Sequence, residues 1–415
     1  MTAPLKVLYI DGVGPFGGSS RSLYETMNAF PVGSVERYFV VQRGSANEFY
    51  SRLAEGLIGV RGLTRFDNTR VSHYRGARWL VLLRELLYLP STVAGLVQAR
   101  RRWRDIDLIH VNEITEIIPG LIAKALFRAP MILHTRSIQR RDPGSLRTRW
   151  IHRRLRRSVA AVVAIDEGVR ASLPADAPVY VIHNSFAASP TGTRDDAYLA
   201  QLDVLRPSSL KVGFVGNLHR TKGFLEMLEA ARLVKASGGD VQYLIVGGST
   251  AHSRGVLGWV LEGLGLAQNM QADPGELIRE YGLQNDFLLL GATKDIQRVY
   301  PHMDVLAFPS YFDAPGRPVF EAAFFGVPSI VAVSNPRKDT VIDGETAIAI
   351  RDPEPQQIAD AILRLERDRS EVRRMGKNAR ALAQRNFVPE VNSALLLALY
   401  RKVVGEPEPT HEPRA

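Results

Sequence analysis

Leu5-Lys6-Val7-Leu8-Tyr9-Ile10-Asp11-Gly12 and, in the second half of the chain, Leu210-Lys211-Val212-Gly213-Phe214-Val215-Gly216 share one plan: an apolar run of strand length that ends in a glycine turn. A run without polar alternation is a strand covered on both faces, as strands are in parallel sheets flanked by helices. A glycine turn at its C-terminal end, feeding a helix, opens a doubly wound α/β domain. The recurrence predicts two domains of one architecture.

Working outward, further runs of four to six Val/Ile/Leu-rich residues follow in each half. The first half has Leu5–Ile10, Arg37–Val41, Asp107–Val111, Met131–His134, Ala160–Ile165 and Val179–Ile182. The second has Lys211–Val215, Gln242–Val246, Phe287–Leu290, Val305–Phe308, Ser329–Ala332 and Ala347–Ile350. Helical patterns fit between them, as at Phe224–Ala236, where the apolar residues keep a 3.6-residue period. The expected division is a first domain at 1–190, a polar linker at 191–209 and a second domain at 210–385. A C-terminal helix at 386–404 is expected to pack back towards the first domain, with a solvated tail at 405–415. For 415 residues, two domains of about 150–200 residues each are the natural division.

The apolar share of 45% and charged share of 23% are those of a globular chain. Zero cysteines exclude disulfides, thiolate metal sites and cysteine nucleophiles. No run of about 18 uncharged apolar residues is present, so no spanning helix is expected. The opening MTAPLKVLYID enters a strand-like run directly and reads as no secretory signal, which agrees with a cytoplasmic location. The net charge of +10 is uneven: residues 1–190 carry +12 and the remainder −2. Such a field attracts anionic partners.

Several motifs sit at strand ends. Gly12-Val13-Gly14-Pro15-Phe16-Gly17 has the GxGxxG form. However, Pro15 removes a phosphate-cradling donor, and the next strand ends in Gln42-Arg43 without a ribose-binding acid. A loop of close approach at Gly14–Ser20 fits better than a nicotinamide site. Gly216-Asn217-Leu218-His219-Arg220-Thr221-Lys222-Gly223 joins a strand end to a helix start with two cations, an anion site in which Lys222 is a point charge and Arg220 a fork. The competing reading is a helix capped by Thr221 with solvated cations. In Asp313-Ala314-Pro315-Gly316-Arg317-Pro318-Val319-Phe320-Glu321, an acid lies inside an apolar helix that Gly326 stops. Glu321 there is costly unless it accepts hydrogen bonds, from ribose hydroxyls or from a salt-bridge partner.

Other features admit two readings each. Asp105-Ile106-Asp107 has a metal-binding form but precedes its strand, so it reads as a polar strand start. His110 ends that strand and is either a pocket residue or an interior histidine. Arginines crowd the segment Arg136–Arg157, and Arg100–Arg102 with Arg104 add a second cluster. With the apolar stretch Trp79–Val97, interrupted by Arg84-Glu85, they make either a peripheral membrane face for anionic lipid or a core helix beside a solvated basic face. Nucleic acid is not the expected partner, because few aromatics interleave with the basic residues.

In order and spacing these motifs resemble the group 1 glycosyltransferases, retaining enzymes of the GT4 type with the GT-B fold, over nearly the whole chain. Gly17-Gly18 matches that family's glycine pair after the first strand, His134 its mid-domain histidine, and Val181-Ile182-His183-Asn184-Ser185 the run closing its first domain. Gly216–Gly223 resembles its cationic loop, Asp313 through Glu321 its paired acids, Pro336–Ile350 its D-G-E-T-G region and Asp352–Leu365 its following helix. The chain departs from the family at Asp313, one methylene shorter than the usual Glu, and at Asn217, where a phosphate-binding Arg is usual. Ser185 and Ala347 replace glycines, and Ser249–Asp286, with an apolar Gly255–Leu266, is long for its region.

The resemblance implies two Rossmann-like domains facing across a cleft, and transfer of a sugar from a nucleoside diphosphate to a hydroxyl with retention, without cofactor or catalytic metal. It implies catalytic roles for His134, Asp313 and Lys222. It implies donor contacts from Gly17, Gly18, Asn184, Gly216, Asn217, Arg220, Lys222, Gly291, Gly316, Arg317, Val319 and Glu321. His110 and Arg136 are acceptor-side candidates. The acceptor expected is a glycan or lipid-linked precursor of a polysaccharide or glycoconjugate. A sugar-nucleotide epimerase on the same fold and a catalytically inactive lipid- or partner-binding protein stay open, and the oligomeric state is not legible.

Overall fold

The computed structural model describes residues 3–70, 79–188, 194–218, 220–248, 273–293 and 295–406. The chain divides into two compact units, Met1–Phe186 with Phe387–Ala415, and Ala187–Asn386.

The first unit is built on β1 (Leu5–Asp11), β2 (Val35–Gln42), β3 (Gly56–Val60), β4 (Leu108–Val111), β5 (Met131–Thr135), β6 (Ala161–Ala164) and β7 (Val179–Val181). They form one parallel sheet in the order β3-β2-β1-β4-β5-β6-β7. Val7 through Ile10 are fully buried because helices cover both faces. On one face lie α1 (Gly18–Asn28) and α2 (Ala46–Ser51); on the other lie α3 (Trp79–Arg102), α4 (Ile117–Phe127), α5 (Leu146–Arg157) and α6 (Glu167–Ala171). Strand β3 lies outside the sequence-predicted set: Gly56 and Gly59 dilute its apolar signal, and Gly56 seats against the Trp103 ring. Asp107 stands at the N-terminal edge, accepting a 2.8 Å bond from the Lys6 amide.

Helix α3 corrects the expectation about spanning length. Despite Arg84 and Glu85 it is long and apolar enough to cross a membrane, and only 22% of its apolar window is buried.

The second unit contains α7 (Asp196–Ala200), β8 (Leu210–Val215), α8 (Phe224–Ala236), β9 (Val241–Val246), α9 (Pro274–Glu280), β10 (Phe287–Gly291), β11 (Val305–Phe308), α10 (Arg317–Phe324), β12 (Ser329–Ala332), β13 (Ala347–Ile350), α11 (Pro355–Arg367) and α12 (Arg369–Asn386). Its parallel sheet runs β10-β9-β8-β11-β12-β13. The expected linker at 191–209 is in its described part a structured piece of this unit: Asp195 caps α7, and Leu202 sits in the core with Tyr198, Leu199 and Leu205 against it. Those apolar residues at helical spacing are masked in sequence by the acids and arginines between them. The apolar Gly255–Leu266 and the tail from 407 lie outside the described residues.

The last helix, α13 (Pro389–Val404), belongs to the first unit. Its Leu396, Leu397, Leu399 and Tyr400 join the core formed by β1, β2 and α1.

Candidate functional site

In the second unit, β8 ends at Gly216, and the turn that follows exposes Asn217 and Arg220 while half-burying Thr221 and Lys222. Gly223 begins α8 with φ +76, and a Cβ there would stand 1.9 Å from the Pro309 carbonyl oxygen, so only glycine fits. Thr221 does not cap the helix. Its carbonyl instead accepts from the Tyr311 amide (3.0 Å) and the Ser310 hydroxyl (3.3 Å), which stitches the turn after β8 to the turn after β11. The Lys222 Nζ lies 5.3 Å from the centre of the Phe308 ring and 4.8 Å from that of Phe312. Burial pulls its pKa below the ordinary lysine range, and among the described residues no carboxylate pairs with it. An ammonium partly withdrawn from water and, among the described residues, offered ring faces without a carboxylate is under-satisfied, and an anion arriving beside it gains accordingly.

Phe308 also ties this cation to the acidic segment. Its ring lies where a Cβ on Gly316 would come within 2.3 Å, which seats the start of α10 against it. Glu321 on α10 is 4% exposed. Its Oε2 accepts from the Tyr300 hydroxyl at 2.8 Å, and its Oε1 pairs with the Nε of Arg317 one turn earlier. The salt-bridged alternative is therefore realised, and each carboxylate oxygen keeps a second lone pair for a ligand hydroxyl. Val319 is buried, its amide bonded to the Gly316 carbonyl at 3.0 Å. Asp313, at φ +53, spends both oxygens on Ser334, accepting from its amide (2.6 Å) and hydroxyl (2.9 Å). Gly216, Gly247 and Gly291 all have positive φ at the ends of the adjacent strands β8, β9 and β10, and the Gly291 carbonyl accepts from the Gly247 amide at 2.8 Å. Lys222, Gly316, Arg317 and Glu321 thus share one sheet edge, the C-terminal ends of the neighbouring strands β8 and β11.

The first unit gathers its candidates at the same edge of its own sheet. His134, at the end of β5, is 5% exposed; its Nε2 has no hydrogen-bond partner among the described residues. Burial, then the charge of Arg136 and then His110, hold it well below the ordinary histidine pKa, so it is neutral. Arg136 donates from Nε to the Asn112 side chain (3.0 Å) and from Nη1 to Asn184 (2.5 Å), which brings these two candidates into one network. His110 is fully buried, bonded through Nδ1 to the Tyr400 hydroxyl of α13 at 2.5 Å. Burial and Arg136 push its pKa to about 3. The structure therefore seats it as an interior histidine, not an acceptor contact. Gly17 caps α1, and a Cβ on Gly18 would meet nothing within 4 Å.

Three acids in this unit escaped the sequence reading. Asp11 accepts from the Tyr50 hydroxyl at 2.5 Å and the Val13 amide at 3.0 Å, and burial raises its pKa. Glu116 presses against Gly12, where a Cβ would lie 2.6 Å from its Oε1; burial, then the charge of Asp11, pushes it well up. Glu113 accepts from the amides of Ile114 (2.8 Å) and Arg136 (3.2 Å), and burial raises it to about 7. Their position just past the strands was the available signal, since Asp11 ends β1 and Glu113 follows β4 within two residues. Among the described residues no group of three His, Cys, Asp or Glu stands close enough to hold a metal ion.

Two doubly wound units, each with glycine turns and charged side chains at the C-terminal strand ends, define an α/β protein of the GT-B class. Residues 17–184 match the model of the glycosyl transferase 4-like domain, and residues 204–382 match that of the glycosyl transferases group 1. The chain belongs to the group 1 glycosyltransferases. It is 24% identical over 198 residues to the capsular polysaccharide biosynthesis glycosyltransferase CapM of Staphylococcus aureus, a match covering 48% of this chain and 47% of that one. Over 207 residues it is 29% identical to a D-inositol 3-phosphate glycosyltransferase of Corynebacterium urealyticum, covering 49% and 45%. The matched stretches span about half the length of these curated relatives. Among solved structures, Anabaena HepE in complex with UDP shares the fold at a TM-score of 0.71 and 20% identity, covering 96% of this chain and 100% of that one.

Proposed function

We propose that this chain is a retaining glycosyltransferase, independent of a catalytic metal, that moves a sugar from a nucleoside diphosphate to a hydroxyl of a glycan or lipid-linked precursor. The observation that carries this reading is Lys222: a half-buried ammonium without a carboxylate partner among the described residues, tied through Phe308 to the helix that holds the buried Glu321. The similar structures of Anabaena HepE in complex with UDP and with UDP-glucose support a nucleotide-sugar donor. A cysteine-free chain meets no penalty in a reducing compartment, which agrees with a cytoplasmic setting.

The difficult step is departure of the diphosphate while positive charge develops on the sugar ring. Lys222, with Arg220 at the rim of the same turn, stabilises the charge that appears on the leaving oxygens. Glu321 accepts from ribose hydroxyls with the lone pairs left free by Tyr300 and Arg317. His134 is neutral and its Nδ1 accepts from the Arg136 guanidinium at 3.4 Å, so its proton sits on Nε2, which donates a hydrogen bond to an oxygen of the acceptor or of the donor sugar. Gly18, whose missing Cβ nothing in its own unit requires, leaves room for substrate against the backbone. The bond from C1 to the diphosphate oxygen breaks, the bond from C1 to the acceptor oxygen forms on the same face, and the acceptor proton passes to the departing diphosphate.

Calorimetric titration with UDP and GDP, followed by incubation with the matching nucleotide sugars and read by NMR, tests the proposal. Binding of one nucleotide and a product that keeps the donor's anomeric configuration are expected. An inverted product removes the retaining step. Interconversion of the donor alone points to an epimerase, and failure to bind either nucleotide removes the donor assignment.

A further inference from the structure

Helix α3 has its polarity reversed for a helix facing water. Its inward face carries Glu85, at 2% exposure, with Thr92, Gly95, Leu96 and Ala99. Its outward face carries Leu80, Leu83, Leu86, Leu87 and Val93, with Leu83 at 58% and Leu87 at 71% exposure. These positions recur at helical spacing and form one stripe. A contiguous apolar stripe of this size marks an interaction surface.

The inward bonds hold the helix in that rotation. Glu85 accepts from the Arg65 amide (2.8 Å) and from Arg84 (2.7 Å), while its carbonyl accepts from the Thr64 hydroxyl (2.9 Å). The Thr92 hydroxyl accepts from the Thr64 amide at 2.9 Å. Gly95 seats directly on Val60, where a Cβ would come within 2.4 Å. Turning the leucines inward would leave several buried polar groups unpaired. The same attachments make α3 a helix that lies on its unit instead of leaving it to span a bilayer.

The segment after β3 that holds Glu85 also reaches α5. Phe66 packs edge-on against Trp150 at 5.3 Å, and Arg147 donates to Asn68 at 3.1 Å. The core residues of α3, α4 and α5 form one cluster on one face of the sheet. Helix α5 carries six arginines and no acid. Of these, Arg149, Arg153 and Arg157 are exposed and have no acidic partner among the described residues, and Leu146 at its start is 75% exposed. A leucine stripe bordered by unpaired cations is the chemistry of an interfacial helix on anionic lipid. A second copy of this chain is a poor occupant, because it would set arginine against arginine.

We propose that α3 and α5 form a docking face for an anionic bilayer, with the α3 leucines entering the headgroup–acyl boundary and the α5 arginines pairing with lipid phosphates. The test is sedimentation of the full chain with vesicles of phosphatidylcholine alone and with added phosphatidylglycerol. The wild type is expected to pellet with the anionic vesicles and to be released at roughly 0.5 M salt. Leu83→Gln with Leu87→Gln is expected to lower partitioning by at least about tenfold. Each of Arg149→Gln, Arg153→Gln and Arg157→Gln is expected to lower it about fivefold. Circular dichroism confirms that each variant is folded, and the wild-type lipid and salt comparison stands even where a variant is not. The proposal is overturned by wild type left in the supernatant, by equal pelleting with both lipids, or by variants that pellet like wild type. A lipid-indifferent dimer that the leucine pair dissolves, seen by analytical ultracentrifugation, overturns it in favour of a second copy.

Discussion

Replacing Lys222 by methionine removes its charge while keeping its length and apolar stem. Two consequences of opposite sign follow. In the free protein the ammonium faces the rings of Phe308 and Phe312 and has no carboxylate partner among the described residues, while burial pulls its pKa down. Each ring contact contributes about 0.5–1 kcal/mol, and desolvation of the charge opposes it by a similar amount. Methionine keeps the ring packing without the desolvation, so stability by urea unfolding is expected to stay within about 1 kcal/mol of wild type or to rise. With a nucleoside diphosphate bound, a unit charge about 4 Å from a phosphate oxygen contributes up to about 4 kcal/mol at an effective dielectric of 20. Allowing for the half-exposed setting, a loss of about 2–3 kcal/mol is expected, on the order of 30- to 150-fold in affinity for UDP or GDP by calorimetry. Turnover is expected to fall at least as far, since the leaving group gains charge in the transition state. A variant that binds nucleotide like wild type and unfolds about 2 kcal/mol more easily would show Lys222 to be a packing cation, and the donor site would have to be sought elsewhere.

Glu321→Ala takes the carboxylate away from the Arg317 guanidinium, whose side chain is 11% exposed, and is expected to destabilise by about 2 kcal/mol, whereas Glu321→Gln retains an acceptor for Arg317 and stays folded; calorimetry on the glutamine variant is expected to show weakened nucleotide binding, and unchanged affinity would remove its ribose role. Gly316→Ala drives a Cβ into the Phe308 ring, from which it would stand 2.3 Å; a loss of about 1–3 kcal/mol is expected by urea unfolding, and a neutral result would show that the ring yields freely. His110 is held at about 3 in the folded state against an ordinary value of 6.5, so the unfolded chain binds the extra proton between those values. Stability from this group is complete above pH 6.5 and declines as pH falls below it, by about 1.4 kcal/mol at pH 5.5. His110→Asn is expected to flatten that part of the urea profile measured from pH 7.5 to 5.5, and an unchanged slope would refute the assignment.

The parallel architecture was legible because it is written locally. Unbroken apolar runs at Leu5–Ile10 and Lys211–Val215 report strands covered on both faces, wherever those covers come from. The glycine turns and the cation at Lys222 could be placed at strand ends by spacing alone, and the helix at Phe224–Ala236 by its period. Strand β3 was not legible, since its two glycines remove the signal that periodicity needs and Trp103, far along the chain, supplies the packing.

The tertiary structure alone decided the state of each charged group. That Lys222 faces two aromatic rings depends on Phe308 and Phe312, brought in by β11 and its turn. That Glu321 is paired depends on the register of Arg317 one turn before it and on Tyr300 from another element. His110 is an interior group because Tyr400, at the other end of the chain, closes over it. Helix α3 exposes its leucines because Thr64 and Arg65 bind its polar side. Periodicity states which face of an element is apolar; only the neighbours that arrive by folding decide whether that face is covered and whether a charge is paired, since burial and pairing are long-range properties.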